Sequence, residues 1–342
     1  MAGQPKELIG NPADLTVGRT ADDDVLSDVL RNVRLSGSLQ FCFMPTGAWQ
    51  TDATPSLASS APAGSSVIPF HIVVEGSCWL KMDGREVLLA TGDVVAFPFG
   101  TGHQLGAGTD GRLILPGRDL PPKPWREIPV LRYGEARQHV RLLCGYLQCN
   151  AISFRPLRDA LPTLLHVRTR ETQDAAWLRA AIAQIVSEVD NPRAGGLSML
   201  ERLTEITFIE LLRYQMIAAS AGPAGSGGWL AALADPALAR CFALIHSDPN
   251  GAQSMKHLAA AAGLSRSTLS ERFEAMLGTS PMRYVRDWRL CLASVALSTT
   301  RKGIAAIADE AGYGTEAAFN RAFARAYGAP PAAWRQRARQ SV

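Results

Sequence analysis

The sequence predicts an α+β chain in two parts: an antiparallel β-barrel of the jelly-roll kind with helices behind it, then an all-α domain built from two helix-turn-helix units. Three observations lead there. From about residue 34 to residue 105, short β-branched and aromatic runs alternate with Gly, Asp-Gly and Pro-Gly punctuation at the spacing of barrel strands. From Met255 to Trp334, one design occurs twice: an Ala-rich short helix, a Gly turn, and a second helix that ends in Gly and then Pro. Charge is also divided. Residues 231–342 hold 14 Lys/Arg against 8 Asp/Glu, a net of +6, which leaves −2 on the rest of a chain whose total is +4. A basic C-terminal part on a near-neutral body is the footprint of a nucleic-acid reader with a separate partner domain.

In chain order, residues 1 to about 20 read as a poorly anchored arm. Ala21 to Val33 is a helix candidate, with Val25, Leu26, Val29 and Leu30 on one side. Strand-like runs follow, interrupted by a Pro/Ser/Ala loop that ends near Ser66. Asp83-Gly84 is a hairpin turn, because both residue types accept positive φ. One stretch is sharper. Gly92-Asp93-Val94-Val95-Ala96-Phe97-Pro98-Phe99-Gly100-Thr101-Gly102-His103 places Gly, Pro, Gly and His at the spacing of the second cupin motif, and His71 and Gly76 resemble a reduced first motif. The resemblance implies a cupin barrel. A cupin enzyme would carry a His-x-His and a Glu in the first motif, and only His71 stands here, so the resemblance implies the fold more than a catalyst.

Cys144 and Cys149 lie five apart in a strand-like run. Residues five apart on a strand face opposite sides, so both meet one metal only if the chain bends near Gly145. With such a bend, His71, His103, Cys144 and Cys149 make a mixed sulfur and nitrogen set for zinc or another transition metal. Without it, Cys144 is a small buried hydrophobe and Cys149 a loop thiol. A redox pair is a third reading. Cys42, Cys78, Cys241 and Cys291 sit among apolar residues and read as core.

Two helices are predicted next, Asp174 to Val189 and Leu197 to Ala219, the second with an apolar face wide enough for a barrel flank and a partner helix. Ala221 to Gly228 is a flexible linker by composition. Asp235-Pro236 then opens the first helix of the last domain. In the repeated units, Ser265 and Thr315 are placed to cap helices, and Ser280-Pro281 opens the connecting helix. Ala259, Ala260 and Ala262, and again Ala305, Ala306 and Ala308, allow close helix crossing. Leu258, Leu264, Leu269 and Phe273, then Ile304, Ile307, Phe319 and Phe323, supply two small cores. The outward candidates for DNA are Ser265, Arg266, Ser267, Thr268, Ser270 and Arg272 in the first unit, and Thr315, Glu316, Asn320 and Arg321 in the second. Arg272 and Arg321 suit phosphates. Glu316 either favours its helix dipole or accepts from cytosine N4.

The segments AGLSRSTLSERF, GTSPMRYVRDWRL, EAGYGTEAAFNRAF and YGAPPAAWR, in that order, resemble the DNA-binding domain of the AraC/XylS family of transcriptional regulators over about a hundred residues. The resemblance implies two helix-turn-helix units joined by a long helix and reading successive major-groove segments of promoter DNA. It also implies a cupin sensor domain at the N-terminus and a homodimer made by the helices behind the barrel. The expected organisation is 1–170 cupin-like sensor domain, 171–220 helical dimerisation segment, 221–230 linker, and 231–342 DNA-binding domain.

At 342 residues, 47% hydrophobic and 19% charged, the chain suits two or three globular domains. The N-terminus lacks the basic start and apolar core of a signal peptide, and no run approaches the ~20 apolar residues of a membrane span. A cytoplasmic, non-enzymatic regulator is expected, with a small-molecule or metal effector, and with RNA polymerase as a partner if it activates. The rivals are a cupin metalloenzyme fused to a DNA-binding domain and a thiol- or metal-responsive switch at Cys144 and Cys149.

Overall fold

The computed structural model describes residues 24–32, 35–53, 66–135, 139–149, 154–172, 175–221, 228–249, 251 and 254–339. The expected N-terminal arm and residues 222–227 of the expected linker lie outside these.

The first part comprises α1 (Val25–Asn32), β1 (Leu35–Pro45), β2 (Trp49–Asp52), β3 (Ser66–Glu75), β4 (Ser77–Met82), β5 (Arg85–Ala90), β6 (Asp93–Ala96), β7 (Gln104–Ala107), β8 (Arg112–Leu113), α2 (Pro116–Asp119), β9 (Val130–Tyr133), β10 (Arg141–Cys149), α3 (Arg155–Ala160) and β11 (Leu165–Arg168). These strands form two sheets, ordered β11-β6-β3-β10-β1-β9 and β5-β4-β7-β2-β8. Period-two alternation sorts the side chains. On β3, Ile68, Phe70 and Ile72 face outward to the helices, while His71 and Val73 face the space between the sheets. That space is filled by Phe43, Trp49, Leu80, Val95, Phe97, Leu105, Leu142 and others. The Asp83-Gly84 turn has positive φ at both residues, 50° and 72°, as its sequence predicts.

Behind the larger sheet stand α4 (Ala176–Asp190) and α5 (Gly196–Ala221). Helix α5 is pressed onto β1 at Gly37, where a Cβ would come within 2.7 Å of the Thr204 side chain and 2.8 Å of the Glu201 carbonyl oxygen. Arg141 of β10 donates to both carboxylate oxygens of Asp190, at 2.5 and 3.1 Å, pinning the end of α4 to the sheet. Along α5, Met199, Ile206 and Ile217 stay exposed. Spacings of 7 and 11 residues put all three on one stripe of the helix.

The second part contains α6 (Trp229–Ala232), α7 (Pro236–Ser247), α8 (Met255–Ala262), α9 (Arg266–Leu277), α10 (Pro281–Thr299), α11 (Ile304–Glu310), α12 (Glu316–Tyr327) and α13 (Pro331–Arg339). Trp229 and Leu230, expected at the end of a flexible linker, are instead buried in α6. Burial of the large apolar indole favours this ordered position. Of the six small residues expected at helix crossings, Ala259, Ala262 and Ala308 are buried, while Ala260, Ala305 and Ala306 face solvent. Among the described residues no helix is long and apolar enough to cross a membrane.

Candidate nucleic-acid interface and the barrel histidines

Both units build their second helix in the same way. Helix α8 stops at Gly263, which has φ 68°, and the Ser265 hydroxyl caps α9 by accepting from the Thr268 amide at 3.1 Å. Helix α11 is followed by Gly312, with φ 76°, and Thr315 caps α12 by accepting from the Ala318 amide at 3.2 Å. Such side-chain oxygens satisfy amides that the helix leaves without a partner. Ser280 and Pro281 start α10 in the same manner.

The ten candidate residues therefore divide. Ser265 and Thr315 spend their oxygens on the fold. Ser267 and Thr268 hydroxyls lie 2.9 and 2.8 Å from Ser265 Oγ and extend that capping cluster to the surface. Arg266 and Arg321 are exposed and have no acidic partner among the described residues. Arg272 is tied down: its guanidinium is 2.8 Å from the carboxylate of Asp235, which itself caps α7. Glu316 is exposed in the first turn of α12, while Ser270 and Asn320 are half-buried. Asn320 Oδ1 is buried with no hydrogen-bond partner among the described residues.

Three supporting residues carry no sequence signal. Arg240 of α7 donates to the carbonyls of Ala261 (3.2 Å) and Ala262 (2.9 Å), satisfying the end of α8. Arg289 of α10 donates to Pro249 and Gly251 carbonyls at 2.7 Å each. Phe154, just before α3, is buried edge-on among Trp229, Tyr284 and Trp288, with ring centroids 5.2 to 5.7 Å apart. The Tyr284 hydroxyl accepts from Trp229 Nε1 and is hydrogen-bonded to His246 Nε2, both at 2.8 Å. Helix α1 also rests on α7. The barrel part and the first helix-turn-helix unit thus share one core, whereas the second unit closes its own around Leu290, Leu297, Ile307, Phe319, Phe323 and Trp334.

The expected four-residue metal set is not assembled. The β3–β10 register puts Cys144 opposite His71 but Cys149 opposite Ser66, five positions and about 17 Å farther along β10. The other three residues form a closed hydrogen-bonded chain. His103 Nδ1 lies 2.9 Å from the Thr101 carbonyl oxygen, which can only accept, so Nδ1 carries the proton. His103 Nε2 then accepts from His71 Nε2 at 2.8 Å, and His71 Nδ1 accepts the Cys144 thiol proton at 3.1 Å. Two nitrogens on one tetrahedral zinc stand roughly 3.3 Å apart given 2.0–2.1 Å bonds, farther than these two, and Cys144 lies at the opposite nitrogen of His71. Burial depresses His103 to about 4 and His71 well below the ordinary imidazole value, and it pushes the Cys144 thiol well up. All three groups are neutral near pH 7. A buried, protonated thiol is a poor nucleophile, which counts against the redox-pair reading. Phe97 stacks on His103 with centroids 3.6 Å apart, and the hydrogen-bonded chain of His103, His71 and Cys144 lies buried in the barrel.

Residues 24–217 match the Cupin family and residues 258–337 the Helix-turn-helix domain family. Proteins named as AraC-like transcription regulators in Streptomyces lividans and Streptomyces antibioticus are 30% and 31% identical to this chain over 320 and 322 residues, each comparison covering 92% of this chain and 98% of the relative. The solved DNA-binding domain of AdpA in complex with a target DNA is 28% identical over 31% of this chain and 94% of that one, with a TM-score of 0.29.

Proposed function

The chain belongs to the AraC-like transcription regulators, with a cupin domain ahead of its DNA-reading half, and from that premise we propose that it reads promoter DNA through α9 and α12 as a homodimer under control of a small-molecule effector. The observation that carries the DNA reading is the duplicated capped helix with an exposed hydrogen-bonding face. In this reading Arg266 and Arg321 take phosphates, because their charges are uncommitted, while Ser267, Thr268 and Glu316 approach base edges. Ser265 and Thr315 hold the helices and Arg272 acts partly through Asp235. The Met199–Ile206–Ile217 stripe supports pairing of two copies through α5. Control by an effector is supported by the shared core: a change in the barrel part reaches α9 through α3 and α6, which lie in contact in that order. Where the protein activates, RNA polymerase is a further partner.

Selection of binding sites from random double-stranded DNA tests the reading. The full chain is expected to enrich sites with two blocks about one helical turn apart, present in two copies. Ser267→Ala should relax one block and Glu316→Ala the other, while Ile206→Glu should reduce the site to one copy. No enrichment over the input pool would sink the DNA reading. Two-copy sites with Ile206→Glu would sink the α5 dimer.

A further inference from the structure

Where α3 meets the DNA-reading half, a cavity of about 250 Å³ opens between α3, α10 and α12. Five arginines line it: Arg155 and Arg158 from α3, Arg283 and Arg286 from α10, and Arg325 from α12. Among the described residues, two acidic groups pair with them. Asp159 accepts from Arg155 and Arg158, in each case at Nε, at 3.0 and 3.3 Å. Asp287 accepts from Arg286 Nε and one of its Nη atoms, at 3.2 and 3.0 Å. Arg283 and Arg325 have no acidic partner among the described residues. The pocket thus carries about three uncompensated positive charges, and the paired arginines keep donors to spare.

Holding five guanidinium groups around one concavity costs repulsion unless an anion relieves it. The guanidinium fork matches phosphate oxygens two at a time. A concave site also differs from the open helix faces that meet a DNA backbone, and two of its arginines come from the barrel part of the chain. The volume is below the roughly 300–1,000 Å³ of pockets for drug-sized ligands, which limits the occupant to a small group.

We propose that this cavity binds a phosphoryl dianion, free or carried by a small phosphomonoester, and that the bound anion cross-links the barrel part to α10 and α12. The proposal deepens the effector reading by naming a ligand class and a place for it. Its first test does not depend on that reading, since binding is measured without DNA. A neighbouring cleft lined by Arg155, Gly228, Trp229, Met276 and Arg283 shares two of the arginines, so the organic body of an ester has a place to extend toward α6 and the end of α9.

Calorimetry on the full chain, at low ionic strength in a phosphate-free buffer, decides it. Inorganic phosphate and glycerol 3-phosphate are titrated separately, against chloride at matched ionic strength. The expected result is saturable one-site binding at or below about 1 mM, with Arg155→Gln/Arg283→Gln weakening it by roughly tenfold or more. Arg118→Gln, on α2 and not among the residues that line the cavity, should bind as the wild type does. Thermal unfolding of each variant identifies any that fail to fold, and Arg325→Gln alone then serves as the second variant. Tighter binding of glycerol 3-phosphate than of phosphate identifies an ester site, and equal binding a free-phosphate site. Either supports the proposal. No saturable heat, or equal affinity in wild type and variants, overturns it. Loss of DNA affinity in Arg283→Gln/Arg325→Gln, with no phosphate binding by the wild type, also overturns it and assigns these arginines to the DNA backbone.

Discussion

The two helix-turn-helix units have one local design and two different surroundings. The first is embedded: α7, α8 and α9 share a core with α1, Phe154, α6 and the outer face of the barrel sheet. The second is nearly self-contained, with its own core and α10 as its link to the rest. Local sequence sets the shape of each unit, and only long-range packing sets what each unit can feel. A structural change in the barrel part would therefore reach α9 through α3 and α6, and α12 chiefly through α10.

Removing one large aromatic from each core should show this most strongly. Phe154→Ala and Phe323→Ala both delete a fully buried ring, and each is expected to cost about 3–5 kcal/mol. Hydrogen exchange followed by mass spectrometry should separate them. Phe323→Ala should speed exchange in α11, α12 and α13 and leave β10 and α7 protected. Phe154→Ala should speed exchange in α6, α7 and α9 together, and leave α12 nearly unchanged. Equal loosening of both units by Phe154→Ala would mean that they form one cooperative block, and the asymmetry would be gone.

Acid offers a smaller contrast. The first unit packs against His246, which burial lowers to about 3, and the barrel holds His103, lowered to about 4, and His71, also lowered. A base whose folded pKa lies below its unfolded value near 6.5 binds more protons when unfolded at intermediate pH. Stability is then fully present above about pH 6.5 and is lost as pH falls toward the folded value. For His103 the loss between pH 6.5 and 4 is on the order of 3 kcal/mol, and His246 adds to it on the first-unit side. No histidine occurs from Ile304 to Arg339, so the second unit should keep its protection over the same range. His103→Asn should lower stability at pH 7 and also flatten its dependence on pH between 6.5 and 4. An unchanged slope would mean that His103 is not held neutral.

The contrast also explains what was legible in the sequence. Caps, positive-φ glycines and the Asp83-Gly84 turn depend on neighbours a few residues away, so Ser265, Thr315, Ser280 and the turn were all readable. The cupin spacing singled out His71 and His103, whose Nε2 atoms lie 2.8 Å apart. Their role was not readable, because it depends on the β3–β10 register that sets Cys144, and not Cys149, beside His71. Phe154, Arg240 and Arg289 were invisible for the same reason: each is a single residue whose partners are brought by the fold from distant segments. Composition favoured flexibility from Ala221 to Gly228, and nothing in that composition announced that Trp229, the next residue, is buried.

The smallest effect concerns DNA itself. Each phosphate contact contributes close to one unit to the slope of log affinity against log salt. Arg321, uncommitted in the second unit, should lower that slope by about 1 when replaced by Ala. Arg272, the phosphate candidate on α9, is already paired with Asp235 at 2.8 Å. To reach a phosphate it must leave that carboxylate, so it releases less net counterion, and Arg272→Ala should lower the slope by clearly less than Arg321→Ala. Fluorescence anisotropy at four or five salt concentrations measures both. Equal drops would mean that the Arg272–Asp235 pair opens on DNA and that the two units meet the backbone alike. No drop for Arg321→Ala would remove that residue from the phosphate contacts and leave the second unit to hold DNA by other groups.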